Sequence, residues 1–311
     1  MKAVVFGGSG FLGSHVADAL TDSGIEVTIF DRAQSPYLRE NQKMFVGDIL
    51  DRDQVRESIQ GVDYVYHFAG IADIDKARLN PVDTVRYNVL GTVVLLDACR
   101  EYGVKRFLFA STIYVYSDHG SFYRSSKQAG ELFIENYQKV YGVNYTILRY
   151  GSLFGRRANE FNWISKVIRQ ALLDGRIERE GDGNEIREYV NVLDAARASV
   201  EILGKGFENS YVTVTGPQAL RVRDILEMIN EMLDKTLVVE YLPERNEDHY
   251  ETTPYSFRPR MAKKYISSHY YDLGQSLLDC IYDAYEQISK ERGSDRFIFP
   301  PSIKTDEKVN G

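Results

Sequence analysis

Short, nearly uninterrupted apolar runs punctuate the first half of the chain, at Lys2–Phe6, Ile25–Phe30, Lys43–Val46, Asp63–Phe68, Arg106–Ala110 and Val143–Leu148. Runs this short, rich in Val, Ile, Phe and Tyr and without polar alternation, predict strands buried on both faces of a parallel sheet. Stretches of helical period lie between them. From Pro81 to Tyr102 a stripe carries Val82, Val85, Val89, Val93 and Leu96, with proline near its start and Gly103 just past its end. From Tyr123 to Tyr141 a second stripe carries Ala129, Leu132, Phe133, Tyr137, Val140 and Tyr141, closed by Gly142. Strands alternating with helices imply βαβ units and an α/β fold with a Rossmann-type, doubly wound parallel sheet.

The pattern loosens after Tyr150. An arginine pair, Arg156 and Arg157, is followed by a predicted helix around Trp163 and a turn-rich stretch at Glu180-Gly-Asp-Gly-Asn. Helical patterns recur near Val192–Leu203 and Val222–Leu233, and the polar tail from Lys290 reads as a frayed end. The expected organisation is a nucleotide-binding domain over 1–150 and a smaller α/β substrate domain over 151–311, with part of 190–215 returning to the first.

Composition narrows the class. With 43% hydrophobic and 27% charged residues, the chain is neither disordered nor fibrous. No apolar stretch is long enough for a membrane span, and the apolar start runs into Gly7 too soon for a signal peptide. Cys99 and Cys280 lie far apart with no metal-type spacing, which predicts a reducing cytoplasm and no metal site. A net charge of −7 argues against a nucleic-acid groove, yet permits a small anionic ligand held by local arginines.

Gly7, Gly10 and Gly13 follow the first strand and open a helix around Phe11 and Leu12. Glycines there allow the tight turn, the close approach of a pyrophosphate and tight helix–strand packing, while the helix N-terminus offers free N–H groups. Asp31 ends the second strand, where a carboxylate accepts a hydrogen bond from an adenosine ribose 2′-OH and repels a 2′-phosphate. Its neighbour Arg32 is of the kind that binds that phosphate; the acid's position favours NAD over NADP.

Tyr123 and Lys127 are four apart on a predicted helix, so they share a face. They follow the strand Arg106–Ala110, which leads into Ser111 and Thr112. A phenol is a poor base at neutral pH, but a neighbouring ammonium and an oxidised nicotinamide stabilise the phenolate. With a hydroxyl such as that of Thr112 on the same substrate oxygen, the pair can take a proton from an alcohol as its carbon gives up hydride.

Gly7-Gly-Ser-Gly-Phe-Leu-Gly13, His67-Phe-Ala-Gly70, Ser111-Thr112, Tyr123-Arg-Ser-Ser-Lys127 and Leu148-Arg-Tyr150 together resemble the extended short-chain dehydrogenase/reductases, and more narrowly their NAD-dependent nucleotide-sugar epimerase/dehydratase branch. The resemblance covers about 1–200 in matching order. It implies Tyr123 as base, Lys127 on the nicotinamide ribose and Thr112 on the reacting hydroxyl. Asp48 and Ile49 would contact the adenine, and Phe68, Ala69, Gly70 and Asn88 would line the cofactor trench. Arg187-Glu-Tyr-Val-Asn-Val-Leu-Asp194 resembles the family segment whose arginine binds the substrate diphosphate, with Arg258 or Arg260 as a second clamp. Ser111, Tyr114 and Ser152 fall at substrate-facing positions. The family also implies a homodimer, paired through the helices Pro81–Tyr102 and Tyr123–Tyr141.

Departures from the family narrow the chemistry. Where dehydratases carry an Asp-Glu pair after the threonine, this chain has Ile113 and Tyr114, and decarboxylating members keep a glutamate at the second position. Neither residue shuttles protons as a carboxylate does. What remains is oxidation of a nucleotide-diphosphate sugar, at C4, as a 4-dehydrogenase or a 4-epimerase; bulky Tyr114 favours release of the ketone. A fainter likeness, in Leu148–Gly155 and Glu180–Val190, is to enzymes of bacterial surface-polysaccharide sugars acting on nucleotide heptoses. The alternatives are a non-catalytic NAD sensor on the same fold and a reductase of a non-nucleotide ketone. His67 and His15 read as packed histidines, and Arg156 and Arg157 as either a solvated pair or phosphate ligands.

Overall fold

A computed structural model of the chain describes residues 1–234, 237–243, 249–255, 262–267 and 269–292. Strands β1 (Lys2–Phe6), β2 (Glu26–Asp31), β3 (Gln42–Val46), β4 (Tyr64–His67), β5 (Arg106–Thr112) and β6 (Tyr145–Tyr150) form one parallel sheet. Two later strands, β11 (Ser210–Val214) and β14 (Lys263–Tyr265), extend it in the order β14-β11-β6-β5-β4-β1-β2-β3. The strand order turns back between β1 and β4, the switch point at which ligands of such sheets lie beyond the carboxyl ends of the strands. The apolar runs are therefore strands because both faces are covered. Helices α1 (Phe11–Asp22) and α8 (Val192–Glu201) cover one face; α2 (Arg52–Ile59), α5 (Gly91–Tyr102) and α6 (Ser121–Tyr141) cover the other, with the short α3 (Ile74–Leu79) packed beside α6.

The cap has its own core, built from α7 (Trp163–Asp174), α9 (Val222–Met232) and α10 (Leu273–Arg292). Three short strand pairs belong to this part of the chain. β7 (Ser152–Phe154) pairs with β10 (Tyr189–Asn191), β8 (Arg176–Glu180) with β13 (Val238–Leu242), and β9 (Ile186–Arg187) with β12 (Leu220–Arg221). After Tyr150 the chain passes between sheet and cap more than once: α8 and β11 lie on the large sheet, and so does β14, far inside the segment expected to be a separate domain.

Two helices differ from their periodicity in an instructive way. The stretch from Pro81 is α4 (Pro81–Thr84), a π-turn at Val85–Leu90, and then α5. A π-turn inserts a residue and rotates the face that follows. Val82 and Val85 therefore point to solvent, while Val94, Leu95 and Leu96 are buried. On α6 the expected core stripe is outward: Leu132, Phe133, Val140 and Tyr141 are exposed. The buried face carries Ser126, Lys127, Gly130, Glu131 and Ile134. Polar groups face the sheet there because they meet polar partners at the strand ends.

Candidate active site

The glycine turn is built for close approach. Gly7 has φ of +78°, in the left-handed region, and a Cβ on it would lie 2.6 Å from the backbone nitrogen of Ala69. A Cβ on Gly13 would lie 2.2 Å from the Gly7 carbonyl, so α1 sits directly on the turn. Gly10 precedes α1 with no side chain capping the helix, leaving the amides of its first turn open at the strand ends. Asp31 links the turn to β2: Oδ2 accepts from the Ser9 amide at 3.0 Å and Oδ1 from the Arg32 amide at 2.7 Å. The Arg32 guanidinium lies over the Tyr87 ring, 5.0 Å from its centre.

The other cofactor-side positions divide by exposure. Phe68 and Ala69 are half-buried beside Gly7, and Gly70 is exposed with φ of +144°. Phe11 is half-buried and Leu12 buried at the start of α1. Asp48 is half-buried and accepts from the Leu50 amide, whereas the Ile49 side chain is buried against Gly91. Asn88 sits in the π-turn, and its amide group is taken up by the protein. Its Oδ1 accepts from the Ile71 amide at 2.7 Å, and its Nδ2 donates to the Ile71 carbonyl and to Ser126 Oγ, both at 2.9 Å. It clamps the Gly70–Ile71 loop to α6 instead of presenting free groups.

Beyond the end of β5, the Thr112 hydroxyl lies near enough to the Tyr123 phenol to favour its ionised form. Burial pushes the Tyr123 phenol up to about 12, against the pull of Thr112. Lys127 donates from Nζ to the Ala110 carbonyl at 2.8 Å and lies 5.8 Å from the centre of the Tyr123 ring. Burial draws its ammonium down to about 8, and the Glu131 charge resists. A phenol, a hydroxyl and a buried ammonium thus converge where a secondary alcohol can give its proton to oxygen. Ionising the phenol there requires added positive charge.

A second group of residues closes the cap side. Arg187 is 8% exposed; Nη1 donates to the carbonyls of Ile186 (3.1 Å) and Glu251 (3.3 Å), and Cζ stands 4.1 Å from the centre of the Tyr250 ring. Among the described residues no carboxylate pairs with it. A buried guanidinium without a counter-ion is costly, and an incoming anion offsets the cost. Tyr114 links the two groups: its amide donates to Thr112 Oγ1 at 3.2 Å, and its ring packs on Tyr250, over which Arg187 lies. Its hydroxyl meets His249 Nδ1 at 2.6 Å and its ring packs on Tyr250 at 4.8 Å. Ser152 Oγ reaches the Tyr250 hydroxyl at 3.4 Å. Ser111 does not face this space: it donates to Glu131 at 2.6 Å. Arg258 and Arg260 lie outside the described residues.

The model of the NAD dependent epimerase/dehydratase family matches residues 3–214. The chain belongs to that family. A putative UDP-glucose 4-epimerase of Methanocaldococcus jannaschii is 30% identical over 247 residues, covering 73% of this chain and 80% of the relative. UDP-glucuronic acid decarboxylase 1 of Arabidopsis thaliana is 26% identical over 283 residues, 82% of this chain and 63% of that protein. Among solved structures, the UDP-glucose 4-epimerase of Thermus thermophilus, in complex with NAD, has a TM-score of 0.77 at 25% identity, covering 91% of this chain and 99% of that one.

Several residues that stood out in the sequence are taken up in structural contacts, and several silent ones lie beside the candidate site. His67 is a core histidine bonded to Thr92, and His15 bonds the Arg156 carbonyl. Arg156 pairs with Asp283 and Arg157 with Asp18, which answers their charge without a phosphate. His249 and Tyr250 carried no signal, because their loop meets the site only through the tertiary fold. Glu131 had one: it shares the α6 face with Tyr123 and Lys127 at helical spacing.

Proposed function

We propose that this chain oxidises the C4 hydroxyl of a nucleotide-diphosphate sugar and returns hydride to the resulting ketone, acting as an NAD-dependent 4-epimerase. The observation that carries this is the juxtaposition around Tyr114: the Tyr123–Lys127 pair and Thr112 on one side and, on the other, a buried guanidinium with no carboxylate partner among the described residues. NAD, when bound, supplies the hydride acceptor and the positive ring. The open amides of α1, the Gly7 turn and the Phe68–Gly70 loop would hold it, with Asp31 toward the adenosine ribose. Tyr123 takes the C4 hydroxyl proton, Thr112 orients that oxygen, and Lys127 stabilises the phenolate. Arg187 receives the diphosphate. The relatives named as UDP-glucose 4-epimerases support the epimerase outcome.

Arg187→Ala is expected to weaken affinity for UDP-sugars by about tenfold to a hundredfold, the worth of a lost charge-assisted hydrogen bond. Isothermal titration with UDP-glucose checks it, and unchanged affinity would point instead to a non-nucleotide ketone. A second reading, a 4-dehydrogenase, is favoured by the fixed ring of Tyr114, which narrows the space in which the ketone must turn over. The assay that separates them follows NADH absorbance with UDP-glucose and UDP-galactose. A flat trace with an inverted C4 supports the epimerase; a persistent rise supports the dehydrogenase.

The reading includes a homodimer. Exposed Leu132, Phe133 and Val140 on α6, with Val82 and Val85 beside α5, make an apolar surface of the kind that pairs. Light scattering is expected to give twice the chain mass, and Leu132→Glu with Phe133→Glu to give the single mass. No helix among the described residues is long and apolar enough to cross a membrane. Two free, buried thiols, Cys99 and Cys280, support a cytoplasmic setting. A supply of sugars for surface polysaccharide rests on the sequence likeness.

A further inference from the structure

The most deeply buried ion pair lies behind the candidate site. Arg149, near the carboxyl end of β6, is 0% exposed and Glu131 on α6 is 2% exposed. Glu131 Oε1 accepts from Arg149 Nε at 2.9 Å and from Ser111 Oγ at 2.6 Å, while Oε2 accepts from Arg149 Nη2 at 2.6 Å. The guanidinium lies between the rings of Tyr116 and Tyr211, and Nη1 donates to the Tyr116 hydroxyl at 2.7 Å. Tyr116 belongs to the short 3-10 turn Ile113–Tyr116, which Thr112 caps through the Tyr114 amide. One carboxylate thereby joins three parts: the helix bearing Tyr123 and Lys127, the strand residue next to Thr112, and the turn after Thr112.

A buried ion pair is weak evidence for stability, since desolvation cancels much of the attraction. Its placement here suggests another use. We propose that Glu131 is a positioning residue for the Tyr123–Lys127 pair, holding α6, and with it the Lys127 ammonium, in register with the end of β5. The inference rests on the reading in which Tyr123 is the base.

Of the charged groups around Lys127 among the described residues, Glu131 is the one that favours its ammonium. On α6 they are Tyr123 and Glu131 itself; β5 offers only the Ala110 carbonyl and the Phe109 ring. His67 on β4 is held neutral by burial, and Arg149 on β6 is a cation already matched to Glu131. Glu131→Gln removes the anion and leaves Arg149 uncompensated. Lys127 then loses its proton more readily, the phenolate of Tyr123 is less stabilised, and ionisation of Tyr123 requires higher pH.

The test is the pH profile of kcat/KM for UDP-glucose oxidation in full-length Glu131→Gln. The acid limb is expected to move up by about one pH unit, a tenfold lower rate on that limb, with KM within about twofold and partial return in Glu131→Asp. Should the uncompensated arginine prevent folding, Glu131→Gln with Arg149→Met removes both charges and is expected to fold, with the limb moved up by less than in the single variant. A folded variant whose acid limb coincides with the natural protein overturns the inference, as does a loss confined to KM. Tyr123→Phe run alongside separates the two readings: if it turns over normally, the parent assignment fails, whereas an inactive Tyr123→Phe beside an unshifted Glu131→Gln removes only the role of Glu131.

Discussion

Tyr123→Phe is expected to lower turnover by about a thousandfold while leaving UDP-sugar affinity within about twofold. General acid–base catalysis contributes roughly a hundredfold to ten-thousandfold, and here one oxygen supplies it. The substitution deletes the hydroxyl beside Thr112 and keeps the ring that packs near Lys127. Arg187 and Tyr250 are untouched, so ground-state binding stays. Because burial holds the Tyr123 phenol near 12, it is protonated at neutral pH until positive charge arrives beside it. A single-turnover measurement of C4 oxidation, with affinity taken from titration, checks both halves. A variant that keeps full turnover would falsify the assignment of Tyr123 as the base.

Gly13→Ala is the second large effect, and it acts on the scaffold. The added Cβ would stand 2.2 Å from the Gly7 carbonyl and 3.0 Å from the Gly8 Cα, against backbone that has no side chain to swing aside. The helix must lift off the turn. Overpacking of this kind costs about 3 kcal/mol or more where the neighbour is rigid. The expected results are a fall in thermal midpoint of several degrees and loss of measurable NAD binding by fluorescence titration, since the displaced amides of α1 are those proposed to meet the pyrophosphate. Gly24→Ala makes a useful control: a Cβ there meets nothing within 4 Å, though its φ of +76° carries backbone strain of its own. Equal NAD affinity in Gly13→Ala and the natural protein would sink the proposed cradle.

How much of this was legible beforehand differs between sheet and helices. The parallel strands announced themselves, because a strand covered on both faces is apolar at nearly every position and six such runs appear in order. The glycine turn was equally visible, since only glycine tolerates the approaches at Gly7 and Gly13. The tyrosine–lysine spacing marked one face of α6. Periodicity then misjudged that helix: its apolar stripe at Leu132, Phe133 and Val140 faces outward, while Lys127 and Glu131 are buried. Hydrophobic pattern identifies the inward face only where the inside is apolar, and here the strand ends offer polar partners instead.

By itself, then, the amino-acid sequence determined the alternation of strand and helix, the turn beneath α1 and the residue types able to move a proton and hydride. Those are local properties, set by side-chain period and by the steric needs of single positions. The tertiary structure alone decided which residues meet. It brought His249 and Tyr250 against Tyr114, returned β11 and β14 to the large sheet, and joined Ser111, Glu131 and Arg149 behind Lys127. These contacts span tens to more than a hundred residues of chain, and no local pattern encodes them, because their energy arises only when burial strips water from charges that must then find one another.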